Sequence, residues 1–181
     1  MADGPTHAAF LRAVNLGATR KAPSAKLVEV FEGLGFEDVA TFRTSGNVVF
    51  RAKGSDAKLR SGIEAALEKG LGFEVPTFVR TARELRAIAA HGPFPAKAVQ
   101  SSKGKVQVAL LEKAPTPAAK KAVMALGSDA DRLALKGTEL YWLPSGGTQK
   151  SPLDLKVIDR TLGLNTLRTQ GTIAQLTEKF F

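Results

Sequence analysis

The chain has 181 residues, 26 basic and 17 acidic, for a formal charge of +9, and it contains no cysteine. That length supports one large or two small domains. The missing thiols exclude disulfides, thiol nucleophiles and thiolate metal sites, and two histidines, His7 and His91, exclude a histidine-rich metal centre.

In chain order, HAAFLRAV (7–14) reads as a strand, and Ser24 to Leu34 as a helix with Leu27, Phe31 and Leu34 on one stripe. DVATF (38–42) and NVVFRA (47–52) read as strands around the polar turn Thr44-Ser45-Gly46-Asn47. Asp56 to Leu71 is helical, with Leu59, Ile63, Leu67 and Leu71 at spacings of four and Ser55 as N-cap. VPTFVR (75–80) is a strand. The order β-α-β-β-α-β is the ferredoxin-like signature.

Thr81 and Glu84 form a capping box for a connecting helix, stopped by His91-Gly92-Pro93-Phe94-Pro95, and the polar run to Lys105 reads as a linker. The order then repeats. KVQVALL (105–111) is a strand, and Thr116-Pro117 opens a helix to Leu126. RLALK (132–136) and ELYWL (139–143) form a hairpin, and Ser151-Pro152 opens a further helix. NTLRT (165–169) is a strand, and Thr172 to Phe180 a final helix. The expected fold is therefore α+β: two tandem ferredoxin-like units with antiparallel sheets, plus a connecting helix and a C-terminal helix. The expected domains are 1–80 and 105–181, joined by 81–104.

In that topology the loop after the first strand, the hairpin and the loop before the fourth strand share one end of the sheet. In the first copy this end carries Arg12, Asn15, Arg20, Lys21, Ser45, Gly46 and Asn47. It also faces the N-terminus of the first helix, where unpaired N–H groups favour an anion. These seven residues are the candidate anion-binding set. Arg12 is placed on a central strand, alternating with Phe10 and Val14, where a structural ion pair is the plainer account. Gly46 is expected at positive φ. Ser45 and Asn47 are not demanded by a turn in the same way: as donors to an anion, Asn47→Asp should abolish binding with the fold intact, and as turn residues alone Ser45→Ala and Asn47→Asp should leave melting temperature and binding nearly unchanged.

The second copy places LPSGGTQKSPL (143–153) between a strand and a helix. Gln149 stands where a phosphate loop needs glycine before its Lys-Ser pair. What remains is a secondary set, Lys150, Ser151 and Arg168, with a plain loop and N-cap as the alternative.

"FLRAVNLG" with Lys21 and Pro23, "LGFEDVATFRTSGNVVF" at 34–50, "FEVPTFVRT" at 73–81 and "ELYWLPSGG" with "KSPL" resemble the bacterial family known as domain of unknown function 1697. The resemblance spans nearly the whole chain and implies an α+β fold of ferredoxin-like units, with no established activity. Similar proteins usually carry Arg-Ser-Lys-Leu where this chain has Lys150-Ser151-Pro152-Leu153. They carry Arg-Asn-x-Asn-Thr where it has Arg168-Thr169-Gln170-Gly171-Thr172.

The positive balance favours anionic partners, either nucleic acid or a phosphorylated ligand, although the cations are spread without a block of like charge. No stretch approaches the length of a membrane span, and the start lacks the layout of a signal peptide, so the expected location is the cytoplasm. No cofactor is called for, and no signal for oligomeric state is present. The favoured function is a binding module for an anionic ligand. Two alternatives stand beside it: an enzyme using carboxylate acid–base chemistry, for which no nucleophile–base pair is visible, and an interaction protein without chemistry.

Overall fold

The structure, a computed structural model, describes residues 4–102 and 105–181. The first elements are β1 (His7–Leu11), α1 (Ser24–Gly33), β2 (Glu37–Thr41), β3 (Asn47–Arg51), α2 (Asp56–Leu71), β4 (Thr77–Thr81) and α3 (Ala82–Ala90). There follow α4 (Ala96–Ser101), β5 (Gln107–Leu111), α5 (Pro117–Met124), β6 (Asp131–Lys136), β7 (Glu139–Pro144), α6 (Leu155–Leu162), β8 (Asn165–Thr169) and α7 (Gln170–Phe180). The chain is thus α+β, with two four-stranded antiparallel sheets of order β2-β3-β1-β4 and β6-β7-β5-β8. It divides into two units, residues 1–86 with 176–181, and residues 87–175.

The two sheets share one plan. Ala9 of β1 lies opposite Val48 and Val79, and Ala109 of β5 lies opposite Leu140 and Leu167. Both central strands are buried along their whole length. In unit 1 the core joins Leu11, Val48 and Phe50 of the sheet to Phe31 of α1 and Ile63 and Leu67 of α2. Burying each such large side chain contributes about 1.5–3 kcal/mol. Unit 2 repeats this with Leu111, Leu140 and Trp142 against Val123 of α5 and Ile158 of α6.

Local signals set the helix ends. The Ser55 hydroxyl accepts from the Lys58 N–H at 3.4 Å, and Gly72 ends α2 with φ 81°. The Thr81 N–H donates to Glu84 Oε2 at 2.8 Å while the Glu84 N–H donates back to Thr81 Oγ1 at 3.3 Å, the reciprocal capping box. Thr116 caps α5 by accepting from the Ala119 N–H.

Three expectations are corrected. The first strand stops at Leu11, not Val14, because Ala13 and Asn15 take left-handed φ values of 57° and 56°, incompatible with an extended ladder. Arg12 is therefore off the central strand. The expected linker after Pro95 contains α4, although Lys103 and Gly104 lie outside the described residues. The helix expected from Ser151-Pro152 starts at Leu155 instead, with the Asp154 carboxylate accepting from the Lys156 N–H at 2.9 Å. Among the described residues no helix is long and apolar enough to cross a membrane.

Candidate functional site

Three backbone segments of unit 1 are tied together beyond the end of β1. The Leu11 N–H donates to the Gly46 carbonyl at 2.7 Å, and the Arg12 N–H to the Pro76 carbonyl at 2.9 Å. The Asn15 side chain joins the loop to the hairpin: Nδ2 donates to the Thr44 carbonyl at 2.7 Å and the Ala22 carbonyl at 3.3 Å, while Oδ1 accepts from the Ala22 N–H at 2.9 Å. Arg20 joins the same loop to the segment before β4. Its Nε donates to the Ala13 carbonyl at 2.7 Å and Nη2 to the Glu74 carbonyl at 2.6 Å, with the guanidinium 4.5 Å over the Phe73 ring.

The hairpin is braced from inside. Asn47 is fully buried, and its Nδ2 donates to the Phe42 carbonyl at 2.8 Å and to Ser45 Oγ at 2.9 Å. Gly46 takes φ 77° and packs so closely that a Cβ there would lie 2.5 Å from Val14 Cγ2. Asn15, Arg20, Gly46 and Asn47 thus position the loops. Lys21 and Ser45 are exposed at the surface of this end, and Arg12 is half-buried. The loops that sequence reasoning grouped do meet, and the hairpin also carries Arg43, an exposed cation outside the expected set whose guanidinium lies 5.4 Å over the Phe42 ring. Its flanking Thr-Ser-Gly-Asn turn was the signal that could have drawn attention to it.

Backbone strain concentrates here. Among the described residues four non-glycine residues have positive φ, and three of them, Ala13, Asn15 and Arg43, lie in these two loops. Each such residue costs on the order of 1–2 kcal/mol, less for asparagine, and persists only where its surroundings enforce it. The bonds of Asn15 and Arg20 supply that enforcement.

The three residues of the secondary set have different settings. Lys150 is exposed at the end of a short 3₁₀ turn, Thr148–Lys150. Ser151 Oγ donates to Asp131 Oδ1 at 2.6 Å and accepts from the Leu153 N–H at 3.0 Å, so it braces the loop instead of capping a helix. Arg168 is buried in β8, where Nη1 donates to Thr166 Oγ1 and to the Leu167 carbonyl, both at 2.9 Å. Burial pushes its guanidinium down to about 10, since losing water disfavours the cation. Gln170 Nε2 donates to the Ile88 and His91 carbonyls at 2.9 and 2.6 Å, satisfying groups at the end of α3.

Asp131 was missed. Its carboxylate is buried and accepts from Trp142 Nε1 at 2.7 Å as well as from Ser151. A signal existed: a buried indole N–H needs an acceptor. Asp131 lies two residues before Leu133, the cross-strand partner of Trp142, and hence on the same face. Both donors converge on one oxygen, an arrangement that holds strand, indole and loop together. Asp131→Asn weakens two charge-assisted bonds and is expected to lower stability by about 1–2 kcal/mol. Because the chain has one tryptophan, urea denaturation followed by its fluorescence reads this directly.

The chain matches the family described as Protein of unknown function (DUF1697) over residues 5–141, and it belongs to that family. Among solved structures it is similar to a conserved bacterial protein from Streptococcus pneumoniae, with a TM-score of 0.76 and 20% identity over 96% of this chain and 97% of that one. At that identity the likeness speaks for the fold alone. No curated protein matches the chain.

Proposed function

We propose that the protein is a binding module for an anionic ligand, nucleic acid or a phosphorylated small molecule, held at the loop end of unit 1. The observation that carries this reading is the concentration of enforced left-handed residues in the two loops that present Arg12, Lys21 and Arg43. Strain kept in place by dedicated side-chain bonds supports a role in recognition, since a loop with no such task relaxes to an easier path. Arg12, Lys21 and Ser45 are the contacts in this reading, with Arg43 added. Asn15, Arg20, Gly46 and Asn47 hold them in position. The net charge of +9 draws the anion in from a distance.

The scaffold in this reading is a pair of tandem ferredoxin-like units over 1–80 and 105–181, with 81–104 between them. The matching strand orders of the two sheets support it.

Titrating a nucleoside triphosphate and a short single-stranded oligonucleotide tests the function and separates the two ligand sources. Arg12→Ala and Lys21→Ala are each expected to weaken binding about threefold to tenfold, whereas Lys120→Ala and Lys121→Ala on α5 should change it little. Equal losses at both places would reduce the effect to net charge alone. Absence of binding to either probe would remove the proposal.

A further inference from the structure

We propose that unit 2 carries a separate binding site for a small organic anion with an apolar body, set in the hollow between α4 and the edge strand β6. This goes beyond the loop-end reading and rests on different residues.

A hollow of about 380 Å³ shares Pro95, Asp129 and Arg132 with a shallower depression beside it. Volumes in this range suit a metabolite-sized molecule, for which small-molecule sites run from about 300 to 1,000 Å³. The floor follows from strand alternation. Leu133 and Leu135 of β6 enter the core with Trp142, so Arg132 rises from the opposite face beside its cross-strand partner Leu143, and both line the hollow. Lys97 of α4 adds a second cation to its wall.

Pro95, Ala98 and Leu143 line the same hollow and offer the apolar surface that a bare inorganic ion would not use. One group opposes an anion: Asp129, 3.6 Å from Arg132. Its side chain is wholly exposed while that of Arg132 is 42% exposed. A solvated pair of this kind is weak, so a ligand anion displaces the carboxylate from the guanidinium at little expense. Two cations against one carboxylate leave the hollow positive. Arg132 and Lys97 then take the charged headgroup, and Pro95, Ala98 and Leu143 take the body.

Isothermal titration with phenyl phosphate and benzoate tests this, with inorganic phosphate and benzyl alcohol as the two halves alone. One of the two aromatic anions should bind with one-to-one stoichiometry, and which binds tighter identifies the headgroup as phosphate or carboxylate. Each half alone should bind at least about tenfold more weakly. Arg132→Gln should weaken the aromatic anion about tenfold and Lys97→Gln by less, with unchanged melting temperatures, while Lys120→Ala, a charge control on α5, leaves it unaltered. Full affinity in Arg132→Gln, or inorganic phosphate binding as tightly as phenyl phosphate, would overturn the proposal. So would no binding at all. A loss confined to Lys21→Ala would overturn it too, and would leave the loop-end reading standing.

Discussion

Gly46→Val is expected to destabilise the protein by about 3–5 kcal/mol, the sum of left-handed strain on a β-branched residue and a severe clash. A Cβ at this position would sit 2.5 Å from Val14 Cγ2 and 3.0 Å from Leu11 Cβ, both on buried residues with little room to yield. Gly35 supplies the control. Its φ of 78° is the same, but nothing lies within 4 Å of its would-be Cβ. Alanine at Gly35 should therefore cost only about 1 kcal/mol of backbone strain, and alanine at Gly46 clearly more. Chemical denaturation of the three variants separates strain from crowding. Equal losses for the two alanine variants would show that close approach contributes nothing.

Asn47→Asp is expected to cost about 3–5 kcal/mol, against the sequence-based expectation that it spares the fold. The structure turns the amide inward, where Nδ2 donates to the Phe42 carbonyl at 2.8 Å. A carboxylate would set a second acceptor against that carbonyl at a fully buried position. Repulsion and desolvation both raise the introduced group's folded pKa above its unfolded value. Its neutral form is the one the fold tolerates, so the variant's deficit should be small below the unfolded carboxyl pKa of about 3.9 and grow as pH rises through the folded pKa. Melting curves across pH test the sign. A deficit that shrinks towards neutral pH would contradict this account.

What could be read from the sequence depended on how local each signal was. The α2 helix carried its own evidence, a four-residue apolar stripe with Ser55 before it and Gly72 after it. The Thr81–Glu84 box was equally self-contained. Helix α4 offered nothing comparable: six residues after a proline, none of them buried, give no apolar period to detect. Ser151-Pro152 looked like a helix start because Ser-Pro is one in isolation. A carboxylate twenty positions earlier claims the hydroxyl instead.

The site divided along the same line. Topology alone predicted that the Asn15 loop and the 44–47 turn would meet, and Asn15 bonded to the Thr44 carbonyl shows that they do. Which side chains face inward was hidden. Asn15, Arg20 and Asn47 all bond to main-chain groups, and a carbonyl's availability depends on the path of a distant loop. Polar residues that look poised for a ligand were in part the joinery of the loops themselves.

The division of the chain also bears on the order in which its parts can be completed. Unit 1 is built from residues 1–86 and 176–181, with all of unit 2 lying between them in sequence. The later piece supplies Phe180, whose ring meets Phe42 edge-on at 6.1 Å, and Phe181, whose carbonyl accepts from Arg86. On a ribosome the first unit to emerge is therefore the last to be closed. At synthesis rates of about 5–20 residues per second, residues 87–175 impose a wait on the order of 5–20 s. Throughout that wait Phe42 is without its aromatic partner at the C-terminus.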